Sequence, residues 1–224
     1  MDTMAKTRRR LRTRGSTRRR LIGGMVKLNT GAAAAILSPI YDDLAKTTAV
    51  GQHNLTYGEI EWTTLKLMID YIEKNCPGGD KGRFYDLGCG RGRAVLYMAL
   101  AGPFEQSVGI EVLPERITLA QDALVKLKVA IPSAGAKVRL YEASFLNPAF
   151  KYKDARVVFL SNLCFDDHTQ TALFNKLNNE MPKGSLVFCS RIPSIVPAAF
   201  ESIGEEKVSM TWTPSSNLHI LRHL

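Results

Sequence analysis

The sequence predicts a doubly wound α/β fold: a mostly parallel sheet of seven strands with an antiparallel hairpin at its C-terminal edge. Three patterns carry this. Apolar strand-like runs alternate with helix-period stretches from residue 83 onward. One strand empties into a turn with glycine at alternate positions, Gly88, Gly90 and Gly92. The last two strand-like runs, Val208–Trp212 and Leu218–Leu221, follow each other with no helix between them.

Residues 1–27 read as a disordered basic tail, 28–80 as a helical segment with a lid loop, and 81–224 as the core. Gly31–Leu37 is alanine-rich and reads as a short helix stopped by Ser38-Pro39, because a residue before proline is disfavoured in the helical region. Lys46–Thr56 is polar and loop-like. From Glu59 to Asn75, Ile60, Leu65, Met68, Tyr71 and Ile72 form a helical stripe, ended by Cys76-Pro77-Gly78-Gly79. Strand 83–87, helix 91–101, strand 106–112 and helix 115–129 follow. Lys137–Ala143 alternates as a strand. Ala155–Leu160 is an apolar run suited to a strand buried on both faces. Helix 168–180 and strand Ser185–Cys189 complete the alternation.

The chain of 224 residues is long enough for one α/β domain plus a tail. No apolar run approaches the roughly 20 residues of a membrane span, and no secretory h-region follows the N-terminus. Neither a membrane nor a metal is expected as a partner. Cys76, Cys89, Cys164 and Cys189 are far apart without metal-ligand spacing, so reduced thiols in an intracellular monomer are expected.

Charge is divided unevenly. The net +9 lies wholly in residues 1–27, which hold ten of the thirty bases and one of the twenty-one acids. The remainder is neutral. Arg8, Arg9, Arg10, Arg12, Arg14, Arg18, Arg19 and Arg20 are candidate nucleic-acid contacts, since each base that neutralises a phosphate releases a counterion. Nuclear import, a mitochondrial transit role or plain solvation are other uses of the same residues.

The glycine turn carries the strongest chemical signal. Asp86 precedes it, and the G-x-G-x-G spacing differs from the G-x-G-x-x-G that seats a dinucleotide pyrophosphate. Without side chains, the backbone can approach a ligand closely. This suits S-adenosylmethionine, whose amino-acid end carries an ammonium and a carboxylate. A turn that merely packs a helix on the sheet is the plainer use of the same glycines. Glu111 ends the next strand, 23 positions after Gly88, where an acid can accept from both ribose hydroxyls.

At the end of the fourth strand stand Ser161-Asn162-Leu163-Cys164-Phe165. Methyl transfer needs neutral oxygens for an acceptor amine, and Ser161 and Asn162 supply them, while Phe165 can wall the methyl path. An apolar channel lowers the pKa of an entering lysine, and alignment does the rest. Taken alone, the pair also reads as a turn. Upstream, Thr56-Tyr57-Gly58-Glu59 can fold over the cofactor. There Glu59 either accepts from the cofactor's ammonium or caps the following helix.

In order, Tyr57-Gly58-Glu59, Met68-Ile69-Asp70, Asp86–Gly92, Gly109-Ile110-Glu111, Ser144-Phe145-Leu146 and Ser161–Phe165 resemble the disruptor-of-telomeric-silencing (Dot1-like) family, the non-SET histone lysine methyltransferases. The resemblance spans about residues 37–224. It implies a class I, Rossmann-like methyltransferase fold and methyl transfer from S-adenosylmethionine to a histone lysine on the nucleosome, in the nucleus. It implies cofactor contacts from Tyr57, Glu59, Asp86, Gly88, Glu111 and Phe145, with Cys89, Gly90, Arg93, Ser144 and Ser161 beside them. Tyr57, Ser161, Asn162 and Phe165 become the catalytic candidates, and the basic tail a DNA anchor. Ser144 stands for the family's Asp, Ser161 for its first Asn and Arg93 for a Gln. Ser216-Asn217 stand for its paired tyrosines, with Trp212 nearby. The cofactor site thus matches better than the lysine channel. A non-histone lysine target, in a mitochondrion or a virus's host cell, and a nucleic-acid-binding module with a degenerate fold are the alternatives.

Overall fold

The computed structural model describes residues 20–22, 25–47, 58–75 and 82–224. Its main sheet has seven strands: β3 (Arg83–Leu87), β4 (Gln106–Glu111), β5 (Val138–Glu142), β6 (Ala155–Leu160), β7 (Leu186–Cys189), β8 (Phe200–Met210) and β9 (Thr213–His223). Their order is β5-β4-β3-β6-β7-β9-β8. The first five are parallel, and β9 runs antiparallel between β7 and β8. This is the doubly wound, mostly parallel sheet predicted from strand–helix alternation, and the class I methyltransferase arrangement that the family resemblance implies.

Two apolar layers flank the sheet. One side holds Phe84 and Phe188 against α1 (Thr30–Asp42), α2 (Trp62–Asn75), α3 (Arg93–Ala101) and α4 (Pro114–Ala130). The other sets Tyr85, Leu87 and Val158 against Leu173, Phe174 and Leu177 of α6 (Asp167–Glu180). Successive residues of β3 thus face opposite layers, as a strand covered on both faces requires. A four-residue helix, α5 (Pro132–Gly135), leads into β5.

Three expectations need correction. First, α1 does not stop at Ser38-Pro39 but runs through to Asp42. A proline inside a helix costs about 3 kcal/mol. The extra turn buries Ile40 and Tyr41, at roughly 1.5–3 kcal/mol for each large apolar side chain, so packing outweighs the local signal. Second, residues 20–27 contain an antiparallel ribbon, β1 (Arg20–Ile22) with β2 (Met25–Lys27), inside the stretch expected to lack structure. Residues 1–19 lie outside the described residues. Third, the hairpin strands are eleven residues each, far longer than the predicted runs.

That length matters for the site. β9 meets Cys189 of β7 at His219, so Thr213–Leu218 project beyond the carboxyl end of β7. The hairpin tip reaches back over the segment before α2. There Thr211 N–H donates to the Glu59 carbonyl at 2.9 Å, Glu59 N–H donates to Thr211 Oγ1 at 2.9 Å, and Ile60 bridges Met210.

Candidate active site

A cavity of about 240 Å³ opens at the carboxyl ends of β3, β4 and β6, where ligands bind in open α/β sheets. The glycine turn forms its floor. Gly88, Gly90 and Gly92 all have left-handed backbones, with φ of +88°, +52° and +80°. The amides of Gly88 and Cys89 both donate to the Ile110 carbonyl, at 2.8 and 3.1 Å, which pins the bend to the neighbouring strand. A Cβ on Gly88 would stand 3.2 Å from Phe165 Cζ, besides the strain of its φ.

The cavity has three sides, named by the part of the cofactor or its acceptor that the family resemblance assigns to each. The nucleoside side holds Glu111, Val112, Arg116, Ser144, Phe145 and Leu146. Glu111 is buried; its Oε2 accepts from Gly90 N–H at 2.9 Å, and its Oε1 from the amides of Val112 and Leu113. Each carboxylate oxygen has a second lone pair, so Oε2 can still accept from a ribose hydroxyl. Phe145 offers an aromatic face; its ring stacks on Phe165, with centroids 5.5 Å apart.

The amino-acid side holds Gly58, Glu59, Ile60, Asp86, Arg93 and Ala94. The Glu59 carboxylate is gripped by Arg91, Nε to Oε1 at 2.9 Å and Nη2 to Oε2 at 2.7 Å, and touched by Arg93 Nη1 at 3.2 Å. Glu59 therefore does not cap α2. Leu65 N–H donates to the Glu61 carbonyl, so the cap position falls to Glu61. Asp86 is buried. Burial, then the charge of Glu111, pushes its carboxyl well above the ordinary carboxylate range. The same two carboxylates, after burial itself, raise the Cys89 thiol. That keeps it a neutral part of the floor rather than a nucleophile.

The acceptor side holds Phe159, Ser161, Phe165, Asp166 and Thr169. Asp166 is the N-cap of α6, accepting from Thr169 N–H at 2.7 Å and Thr169 Oγ1 at 2.8 Å. Those bonds, the backbone one first, hold its carboxyl below the ordinary range.

Asn162 requires a correction. The sequence predicts that it presents its amide oxygen to an acceptor amine, but it is fully buried and does not line the cavity. Its Oδ1 accepts from the amides of Ser190 and Arg191, both at 3.0 Å. Its Nδ2 donates to Gln170 Oε1 and to the Arg191 carbonyl, both at 2.7 Å. All four hydrogen-bonding positions of the amide are spent within the protein, so Asn162 ties β6, β7 and α6 together. Ser161 is the polar side chain left facing the cavity from that pair.

Of the eleven cofactor candidates in the sequence, Glu59, Asp86, Gly88, Cys89, Gly90, Arg93, Glu111, Ser144, Phe145 and Ser161 line one cavity; Tyr57 lies outside the described residues. So do Arg8, Arg9, Arg10, Arg12, Arg14, Arg18 and Arg19, while Arg20 opens β1. Arg116 and Thr169 also line the cavity and escape the sequence reading. Each follows a recognised residue by a few positions on the first turn of the next helix, and that proximity was the available signal.

The arrangement fits S-adenosylmethionine. It combines an aromatic ring and a carboxylate with one lone pair open to a ribose hydroxyl at one side with opposed charges at the other, over a glycine turn whose positive φ keeps side chains out of the way. No helix among the described residues is long and apolar enough to cross a membrane, and no cluster among them could hold a metal ion.

Known proteins agree with the fold. The profile of the histone methylation protein DOT1 matches residues 35–216. No curated protein matches the sequence. The solved structure of TrmN from Thermus thermophilus is similar with a TM-score of 0.54 and 17% identity, over 72% of this chain and 48% of that one. An rRNA methylase from Streptococcus thermophilus gives 0.53 and 12%, over 71% and 96%. The Escherichia coli protein yhhF gives 0.53 and 14%, over 72% and 87%. At these identities the likeness establishes the fold.

Proposed function

We propose, since this chain belongs to the DOT1 family of histone methylation proteins, that its acceptor is a lysine amine on a core histone within the nucleosome. The chain is an S-adenosylmethionine-dependent methyltransferase, and the cofactor, when bound, supplies an electrophilic methyl group on a sulfonium. The family match is the observation that carries the choice of acceptor.

The residues of the acceptor side suit an amine that arrives uncharged. Phe159 and Phe165 border it with apolar surface, and burial there disfavours an ammonium. Asp166, the carboxylate on this side, is committed to Thr169, so it serves to cap α6 rather than to remove a proton. Ser161 offers a neutral oxygen to orient the amine. Glu111 and Phe145 hold the nucleoside, and Glu59 with Arg93 the amino-acid end. The chain's contribution is then alignment and water exclusion, the main sources of rate in a displacement without proton transfer.

In this reading the basic N-terminal residues bind nucleosomal DNA, and the protein works in the nucleus. The test is incubation with labelled cofactor and reconstituted nucleosomes, followed by mass mapping. Label on a core-histone lysine is expected. Label confined to a non-histone protein would overturn the histone assignment and leave the methyltransferase in place.

A further inference from the structure

Arg191 stands just beyond the end of β7 and does not line the cavity. Its main chain is fastened to Asn162: the amide donates to Oδ1 at 3.0 Å, and the carbonyl accepts from Nδ2 at 2.7 Å. From that fixed origin the guanidinium reaches the segment between β6 and α6. Nη2 donates to the Phe165 carbonyl at 2.6 Å and to Asp167 Oδ1 at 3.0 Å. Gln170 Nε2 donates to the same carbonyl at 3.1 Å, and Phe165 N–H donates to the Asn162 carbonyl at 3.2 Å. Both planar peptide groups that flank the Phe165 Cα are thus held, which fixes the direction in which its ring leaves the backbone.

The ring stands at a join. It lines the cavity beside Ser161, and it stacks on Phe145 of the nucleoside side with centroids 5.5 Å apart. Phe145 is held in its turn, its carbonyl accepting from the Tyr152 hydroxyl at 2.7 Å. We propose that Arg191 is a positioning residue: by holding Phe165 it sets the space where the cofactor meets its acceptor, and so limits the size of the group that the sulfonium can carry. Its bond to the Phe165 carbonyl is charge-assisted and short, and therefore stronger than the neutral one from Gln170. The ion pair with Asp167 contributes little, because the Asp167 side chain is 73% exposed. A mere clasp between β7 and α6 would depend on that pair, whereas the proposed role depends on the Phe165 carbonyl. The inference rests on the cofactor assigned to this cavity and not on the identity of the acceptor.

The test is isothermal titration of the full chain with S-adenosylmethionine and with S-adenosylethionine, whose transferable group is one methylene longer. The unmodified protein is expected to prefer the methyl donor by about tenfold or more, the scale of one methylene in a close-packed pocket. Arg191→Met keeps the main-chain bonds and an apolar stem. It is expected to cut the preference to about threefold or less, chiefly through tighter binding of the ethyl donor. Arg191→Lys retains a donor for the carbonyl and is expected to keep part of the preference. Asp167→Asn removes the ion pair alone and is expected to keep all of it. Phe165→Leu shortens the wall itself and is expected to lose the preference, so the reading does not hang on one variant's folding. Equal binding of both donors by the unmodified protein would overturn the inference alone. So would a preference that survives Arg191→Met or Phe165→Leu, an equal loss for both donors in Arg191→Met, or a preference lost in Asp167→Asn. Binding of neither donor by the unmodified protein would overturn the cofactor assignment as well.

Discussion

The indole of Trp212 fills the space where a side chain on residue 58 would stand. A Cβ built on Gly58 would lie 2.0 Å from Trp212 Cε3 and 2.3 Å from Cζ3. The hairpin tip and the segment before α2 are thereby closed on each other, with the Glu59–Thr211 hydrogen bonds alongside.

Gly58→Ala is expected to expel the indole and loosen the cofactor's amino-acid side, weakening binding by about 1–3 kcal/mol, the scale of overpacking. Trp212→Ala removes the obstacle. The double variant should therefore bind more tightly than the sum of the single losses predicts, with a coupling of about 0.5–3 kcal/mol. Calorimetric titration of the four proteins measures this, and strict additivity would deny the contact.

Asn162→Ala should act on stability. It strands the amides of Ser190 and Arg191 and the Gln170 carbonyl oxygen, each at about 1–3 kcal/mol, partly relieved by water. A fall of several degrees in melting temperature is expected, with cofactor affinity below the transition changing much less. Lost methylation with an unmoved melting temperature would instead return Asn162 to a direct chemical role.

Asp86 sets a pH dependence. Burial raises its carboxyl in the folded protein, so the folded state keeps a proton that the unfolded chain has already lost. That contribution is complete below the ordinary carboxylate value of 3.8 and disappears as pH rises through the raised value. Asp86→Asn stays neutral throughout. The free variant should melt above the parent at neutral and alkaline pH, by about 2–4 °C per kcal/mol relieved, yet gain less from added cofactor. Thermal shifts across pH 5–9, with and without ligand, test both; a variant that melts below the parent at high pH contradicts the sign.

Deleting residues 1–20 removes nine Lys and Arg residues. Nucleosome binding should weaken, and its salt slope should flatten by about 0.9 for each phosphate that the protein no longer neutralises. Activity on a free histone should change less. Equal losses on both substrates would count against a DNA anchor.

The cofactor half of the site was legible because glycines at alternate positions and acids at strand ends are local signals. Gly88 to Gly92 and Glu111 announce their backbone geometry within a few residues. The acceptor half was not legible in the same way. Asn162 has the right residue type at the right strand end, yet its partners Gln170, Ser190 and Arg191 come from other elements, and no local pattern records that they converge. The same holds for α1. The burial of Ile40 and Tyr41 is decided by helices far along the chain, and it overrides Pro39. The hairpin's length escaped because Glu201, Glu205 and Glu206 interrupt β8 with charge on an edge strand, where solvent tolerates it.

The knot around Asn162 has an evolutionary corollary. Because one interior amide fastens the ends of two strands to a helix, the residues lining the Ser161 side of the cavity can be exchanged without loosening what holds the methyl donor. A lineage carrying this scaffold can drift in what it modifies while its reagent stays the same, and the serine at position 161 is where such drift would first be read.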